Sequence, residues 1–254
     1  MLWFQGEGKV PVKKAQRIIS VVPSQTELLF NLGLTEEVIG ITKFCVHPDE
    51  WFRKKVKIGG TKKLNIKKIR ELKPDLILAN QEENLKEEIE LLSLEFDVWI
   101  SKINNLNDAM QMIREIGIMV NKKVEAEDLY ENINSSFKLY QPVKKQKAVY
   151  LIWNNPLMTI GGDTFISDMM LRAGFINLFS NDLRYPEISI QILQELKPEV
   201  LMLSSEPFPF AEKHLQEFRK LLPDCKIKLV DGEMFSWYGS RLLESIKYFR
   251  QLDT

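Results

Sequence analysis

Short apolar runs alternate with amphipathic stretches along the whole chain, a pattern that predicts an α/β protein with largely parallel sheets. The runs place strands near Ile18 to Val22, Val38 to Thr42, Leu76 to Ala79 and Val98 to Ile100. A second set follows at Val149 to Trp153, Val200 to Leu203 and Ile227 to Val230. Between the sets the period changes. From Asn107 to Tyr140 there is no proline, and Ala109, Met112, Ile113, Ile116, Val120, Val124, Leu129, Ile133 and Phe137 recur mostly at three- and four-residue spacing. Asn107 before Asp108 predicts the N-terminal cap, and Pro142 blocks continuation at the other end. Unbroken, about 30 residues at 1.5 Å each make a rod of about 45 Å. Gly117 and Asn121 are the points at which it can divide into two stacked helices.

A repeat sets the organisation. The segment ELKPDLILANQE at 71–82 returns as ELKPEVLMLSSE at 195–206. In each copy a helix ends, Lys-Pro turns the chain, a buried strand follows, and a carboxylate, Glu82 or Glu206, stands just past it. The expected architecture is therefore two α/β lobes with mostly parallel sheets bridged by a long backbone helix: an N-terminal lobe over 1–105, the bridge over 106–141 and a C-terminal lobe over 142–254.

Composition narrows the function. Lys plus Arg and Asp plus Glu both number 35, so no global basic field argues for nucleic acid. Cys45 and Cys225 form no CxxC pair and read as small apolar thiols, with a disulfide between them left open. The opening residues show neither a secretory leader nor a lipobox cysteine, and no run is long and apolar enough to span a bilayer, so the chain as written reads as soluble and cytoplasmic. Phosphate-loop, dinucleotide, GxSxG, HExxH and EF-hand patterns are all missing from the sequence, whose sole G-x-G is Gly6-Glu7-Gly8. No catalytic residue and no metal site is assigned. His214 lies in a charged helical pattern and is expected to face solvent, whereas His47, on a loop after a strand and beside Pro48, is a candidate ligand contact.

What remains are polar and aromatic residues on loops after strands, where open parallel sheets bind ligands. Ser24, followed three residues later by Glu27, predicts a capping box on a helix that runs to Gly33. Phe235, Trp237 and Tyr238 supply flat, stiff surface suited to a large ring, or else core between lobes.

RIISVVPSQTELLFNLGL, GGTKKLNIKKIRELKPDLILA, the long central helical pattern, RYPEIS and ELKPEVLML together resemble the class III, helical-backbone substrate-binding proteins of metal-chelate ABC importers, nearest their cobalamin-binding members. The resemblance runs from Arg17 to Leu252. It implies a non-enzymatic protein with no intrinsic cofactor that holds cobalamin or another metal chelate, such as haem or a ferric siderophore, between two lobes and delivers it to an ABC permease. It further implies a monomer that touches the membrane only through that permease, and a periplasmic or cell-surface location. Residue by residue, it places Pro23, Ser24 and Gln25 beside the ligand. His47 falls where the cobalamin binder has a tyrosine, and Thr61 where it has a tryptophan. Trp153, Asn154, Asn155, Arg184, Tyr185, Phe235 and Trp237 are the matching surface of the second lobe. Glu82 or Glu83, with Glu206, match the theme of one docking acid per lobe. The alternative is a leaderless cytoplasmic enzyme or chaperone that handles a corrinoid or related chelate on the same fold.

Overall fold

The computed structural model describes residues 15–252, and Gly6-Glu7-Gly8 lies outside them. Two compact units divide the chain. The first comprises the chain through Ile103, Asn107–Asn134 and Tyr238–Arg241; the second comprises Asn104–Leu106, Ser135–Trp237 and the chain from Leu242.

In the first unit the order is β1 (Ile18–Ser20), α1 (Pro23–Asn31), β2 (Val38–Ile41), α2 (Asp49–Lys54), β3 (Val56–Lys57), β4 (Gly59–Gly60), β5 (Lys63–Leu64), α3 (Ile66–Leu72), β6 (Leu76–Asn80), α4 (Lys86–Ser93) and β7 (Val98–Ser101). Five of these strands form a parallel sheet ordered β3-β2-β1-β6-β7, and β4 and β5 make a small antiparallel hairpin. The central strands β1 and β6 are buried along their whole length, as expected of a sheet covered on both faces. After β3 the chain returns to the far side of β1, so the sheet reverses direction between β1 and β6. A crevice opens at such a point, beyond the carboxyl ends of the strands.

Helices α5 (Leu106–Met119) and α6 (Lys123–Leu139) then link the lobes. The bridge is thus two helices, divided at Asn121, one of the two residues that the sequence marks as weak, with Gly117, the other, in the last turn of α5. Asn121 adopts φ 57°, its amide donates to the Ile118 carbonyl and that of Lys122 to Gly117, which closes α5 with a left-handed cap. Gly117 is required there, since a Cβ on it would stand 2.3 Å from the Ala126 Cβ of α6. The expected cap at Asn107 is corrected by the structure: α5 already begins at Leu106, whose amide donates to the Asp168 carboxylate.

The second unit continues with β8 (Gln146–Leu151), α7 (Phe165–Arg172), β9 (Phe175–Asn177), α8 (Ile190–Leu196), β10 (Val200–Ser204), α9 (Glu212–Leu221), β11 (Lys226–Val230), α10 (Glu233–Ser236) and α11 (Leu242–Leu252). Its parallel sheet is ordered β11-β10-β8-β9 and reverses between β8 and β10. No described helix is long and apolar enough to cross a membrane.

The sequence repeat is a structural one and reaches further back than the matched letters. Helices α3 and α8 each have seven residues, capped by Asn65 on the Lys68 amide and Ser189 on the Ile192 amide. Each ends on a left-handed lysine, Lys73 at φ 47° and Lys197 at φ 48°. The acid that follows each Lys-Pro, Asp75 or Glu199, accepts from the backbone amide at the start of a neighbouring strand segment, Arg17 or Lys147. One supersecondary unit has been used twice.

Candidate functional site

In the first unit the loops after β1, β2 and β6 and the β4–β5 hairpin form one rim. Asn84, 4% exposed, ties three of them: its Nδ2 donates to the Val21 carbonyl at 3.2 Å and the Thr61 carbonyl at 3.1 Å, and its Oδ1 accepts from the Asn80 amide. Thr26 joins the loop after β2, donating toward Cys45 Sγ at 3.1 Å. Pro23, Ser24, Gln25, His47, Thr61, Glu82 and Glu83 all belong to this rim, but at different depths.

Pro23 and His47 are half-buried, while Ser24, Gln25 and Thr61 are buried. The capping box expected of Ser24 and Glu27 does not form. Pro23 occupies the first helical position, where its missing N–H costs nothing, so Val22 becomes the cap and Ser24 moves inside the first turn. Glu27 instead accepts two hydrogen bonds from Arg241 at 2.6 and 2.9 Å. The segment Tyr238–Arg241, read from sequence as part of the second half, packs on α1 in the first unit: Ser240 accepts from Asn31, and Gly239 lies beside Ser24 and Leu28. The far end of α1 does follow the sequence reading, with Gly33 at φ 80° closing a Schellman turn through Gly33 N to Phe30 O and Leu34 N to Leu29 O.

Gln25 Nε2 donates to Ser101 Oγ at 2.7 Å, while its buried Oε1 has no hydrogen-bond partner among the described residues. Burial raises the Tyr238 hydroxyl pKa well above its ordinary value, and the charges of Glu83 and Glu82 push the same way while nearby Ser24 and Ser101 oppose them. Glu82 and Glu83 donate their backbone amides to Asn80 Oδ1, and both side chains are half-buried. Cys45 is fully buried, and that burial raises its thiol pKa.

In the second unit the crevice between β8 and β10 gathers Trp153 and the loop after β10. Trp153 is 39% exposed, its Nε1 donates to the Asn155 carbonyl, and its ring meets Phe208 edge-on at 5.6 Å. Asn154 is half-buried and Asn155 exposed in the same turn. Phe208 packs in turn on Phe210 and His214, at 4.8 and 5.3 Å. This overturns the solvent-facing reading of His214, which is 7% exposed; its Nδ1 accepts from the Ala211 amide, so the ring closes the start of α9. Phe208 was not singled out from sequence, where only its place after a strand could have marked it.

Arg184 is exposed, adopts φ 59° and bonds Asp163 through its amide at 2.6 Å and its guanidinium at 3.4 Å. Half-buried Tyr185 lies under that guanidinium. Phe235 is corrected from ring-binding surface to core: it is 0% exposed and packs on Tyr150 and Phe249 at 5.4 and 4.9 Å. Trp237 is 8% exposed and donates from Nε1 to Glu206 Oε1, which also accepts from Ser236 Oγ at 2.5 Å.

The repeat-matched acids are therefore unequal. Burial raises the Glu206 pKa, with Glu233 and Asp231 adding to the rise against the Ser236 hydrogen bond. Between the unfolded and the higher folded value the native protein holds a proton that the unfolded chain has lost, so stability falls as pH rises through that window. Glu206→Gln is expected to remove this slope, so that the variant gains on the parent in denaturant midpoint as pH rises above the ordinary carboxylate value. Parallel profiles would refute it.

Among the described residues no group of three or more His, Cys, Asp or Glu is arranged to hold a metal ion, and both cysteines are free. A family model described as "Periplasmic binding protein" matches residues 18–224. The chain belongs to this family. With two α/β lobes linked by helices, this binding protein is of the helical-backbone class, and it is not an enzyme. It is 27% identical over 198 residues to a vitamin B12-binding protein of Vibrio vulnificus, covering 74% of this chain and 71% of that one. It is 25% identical over 251 residues to an uncharacterized ABC transporter substrate-binding lipoprotein of Bacillus subtilis, YvrC, covering 92% and 79%. Its fold matches the periplasmic haem-binding protein HutB of Vibrio cholerae with a TM-score of 0.77 at 18% identity, over 93% of this chain and 98% of the other. The cytoplasmic placement read from the opening residues is overturned, because the family to which the binding protein belongs is periplasmic.

Proposed function

We propose that the protein captures a metal chelate, whether corrinoid, haem or ferric siderophore, and delivers it to an ABC permease. The observation that carries this reading is the family match over two lobes whose strand ends each gather polar and aromatic loops at a sheet reversal. The relatives support the class of ligand: one is named for vitamin B12, a structural neighbour for haem, and a third for an ABC transporter. The candidate ligand residues are Pro23, Ser24, Gln25, His47 and Thr61 in the first unit, and Trp153, Asn154, Asn155, Arg184, Tyr185 and Trp237 in the second. For permease docking, Glu82 and Glu83 are the first-lobe candidates and Glu206 the second-lobe one, its carboxylate also accepting from Ser236 and Trp237.

Calorimetric titration with cyanocobalamin, hemin and a set of ferric siderophores tests the reading. Saturable one-to-one binding of one of them is expected, and no heat with any would overturn it. Glu82→Gln with Glu83→Gln is expected to leave the ligand bound and stop transport, since paired charges steer docking and fix register; undiminished transport would remove these acids from the docking role.

A further inference from the structure

The loop after β2 has an alternation that the ligand assignments leave unused. Cys45 turns inward: its amide donates to the Thr42 carbonyl and its sulfur lies 3.1 Å from Thr26 Oγ1 and 3.2 Å from Thr42 Oγ1. With Cys45 fixed, its neighbours face out. Phe44 is 49% exposed and Val46 39%. The Phe44 ring is steadied by the hairpin, since a Cβ on Gly60 would come within 3.0 Å of it. These two exposed apolar side chains stand on the same loop as His47, on the rim that carries Thr61.

One cation lies against Phe44 and two more stand on the hairpin of the same rim. The Lys43 ammonium lies 5.0 Å from the Phe44 ring centre, and Lys62 and Lys63 sit exposed on the hairpin beside Thr61. Lys62 donates to the Glu82 carbonyl, an uncharged acceptor. The acids that follow His47 along the chain are engaged elsewhere, Asp49 with Arg53 and Glu50 with Lys54. A neutral, amide-fringed ring would offer these lysines only uncharged acceptors, whereas peripheral carboxylates would give each an ion-paired, stronger hydrogen bond.

We infer that the first lobe is built for a metal chelate with anionic groups on its edge, Phe44 and Val46 meeting its apolar face and Lys43, Lys62 and Lys63 its charges. This rests on the proposed chelate-binding function and names the chemical class within it. Glu82 and Glu83 on the same rim work against an anionic ligand, so neutralising them tightens binding.

The test titrates the whole chain with hemin, hemin dimethyl ester and cyanocobalamin. Hemin is expected to bind more tightly than its uncharged ester and than cyanocobalamin. The triple variant Lys43→Gln, Lys62→Gln, Lys63→Gln is expected to weaken hemin about tenfold, with little effect on the ester. Phe44→Ala is expected to weaken hemin and its ester alike, by about tenfold. Equal affinity for hemin and ester, preference for cyanocobalamin, or an unchanged triple variant overturns the inference and leaves the chelate-binding function standing. Failure of all three probes and of the siderophore set removes that function and the inference with it. Circular dichroism of the exposed lysine variants separates lost binding from lost folding.

Discussion

Phe235→Ala is expected to lower the stability of the protein by about 3–5 kcal/mol, read as a fall in denaturant midpoint at unchanged slope. The ring is wholly buried between Tyr150, on β8, and Phe249, on α11, with Tyr248 at 6.3 Å. Truncation removes the shared contact of a strand and two helices, and close-packed interiors relax only partly around such a hole. The damage should also spread along the chain, because Ser236 and Trp237, which follow Phe235, hold the Glu206 carboxylate. Gly232, which opens the same helical turn, leaves no slack: a Cβ there would meet Ser204 Oγ and Glu206 Cγ at 2.5 Å. A loss below about 1 kcal/mol would show that the aromatic cluster is not core.

Glu27→Ala is expected to cost a similar amount, about 3–5 kcal/mol, for a different reason. Its side chain is 16% exposed and that of Arg241 10%, and the two form a bidentate pair. Removing the acid strips the guanidinium, in a largely dry place, of its two hydrogen bonds to Glu27, and the desolvation those bonds offset is the greater part of the loss. The double variant Glu27→Ala, Arg241→Ala is therefore expected to be more stable than Glu27→Ala alone. If the two losses simply add, the pair is not coupled.

The strands that were legible in sequence are those buried on both faces, such as Leu76–Asn80 and Val200–Ser204, because continuous burial demands a continuous apolar run. Phe175–Asn177 escaped because it is an edge strand of three residues whose middle member, Ile176, is 40% exposed. The hairpin at 59–64 escaped because two-residue strands carry no period. Loops that bear the candidate site could be placed from strand ends alone, but not the depth of their residues. His214 looked solvated amid Glu212, Lys213 and Glu217, yet it shares a helix face with Leu215 and Phe218, a spacing that would have marked it as inward. Glu27 is engaged not in capping but by an arginine 214 residues away in sequence, a competition no local pattern reveals.

The placement of Tyr238–Arg241 bears on how the chain can be cut. A fragment ending after α6 would carry the whole first sheet yet lack the four residues that satisfy Glu27 and Asn31. The complementary fragment would carry those residues with nothing to rest on. The halves written in the repeat are therefore not two separable proteins: a split expressed from two genes should regain the parent's stability only when both pieces are present together.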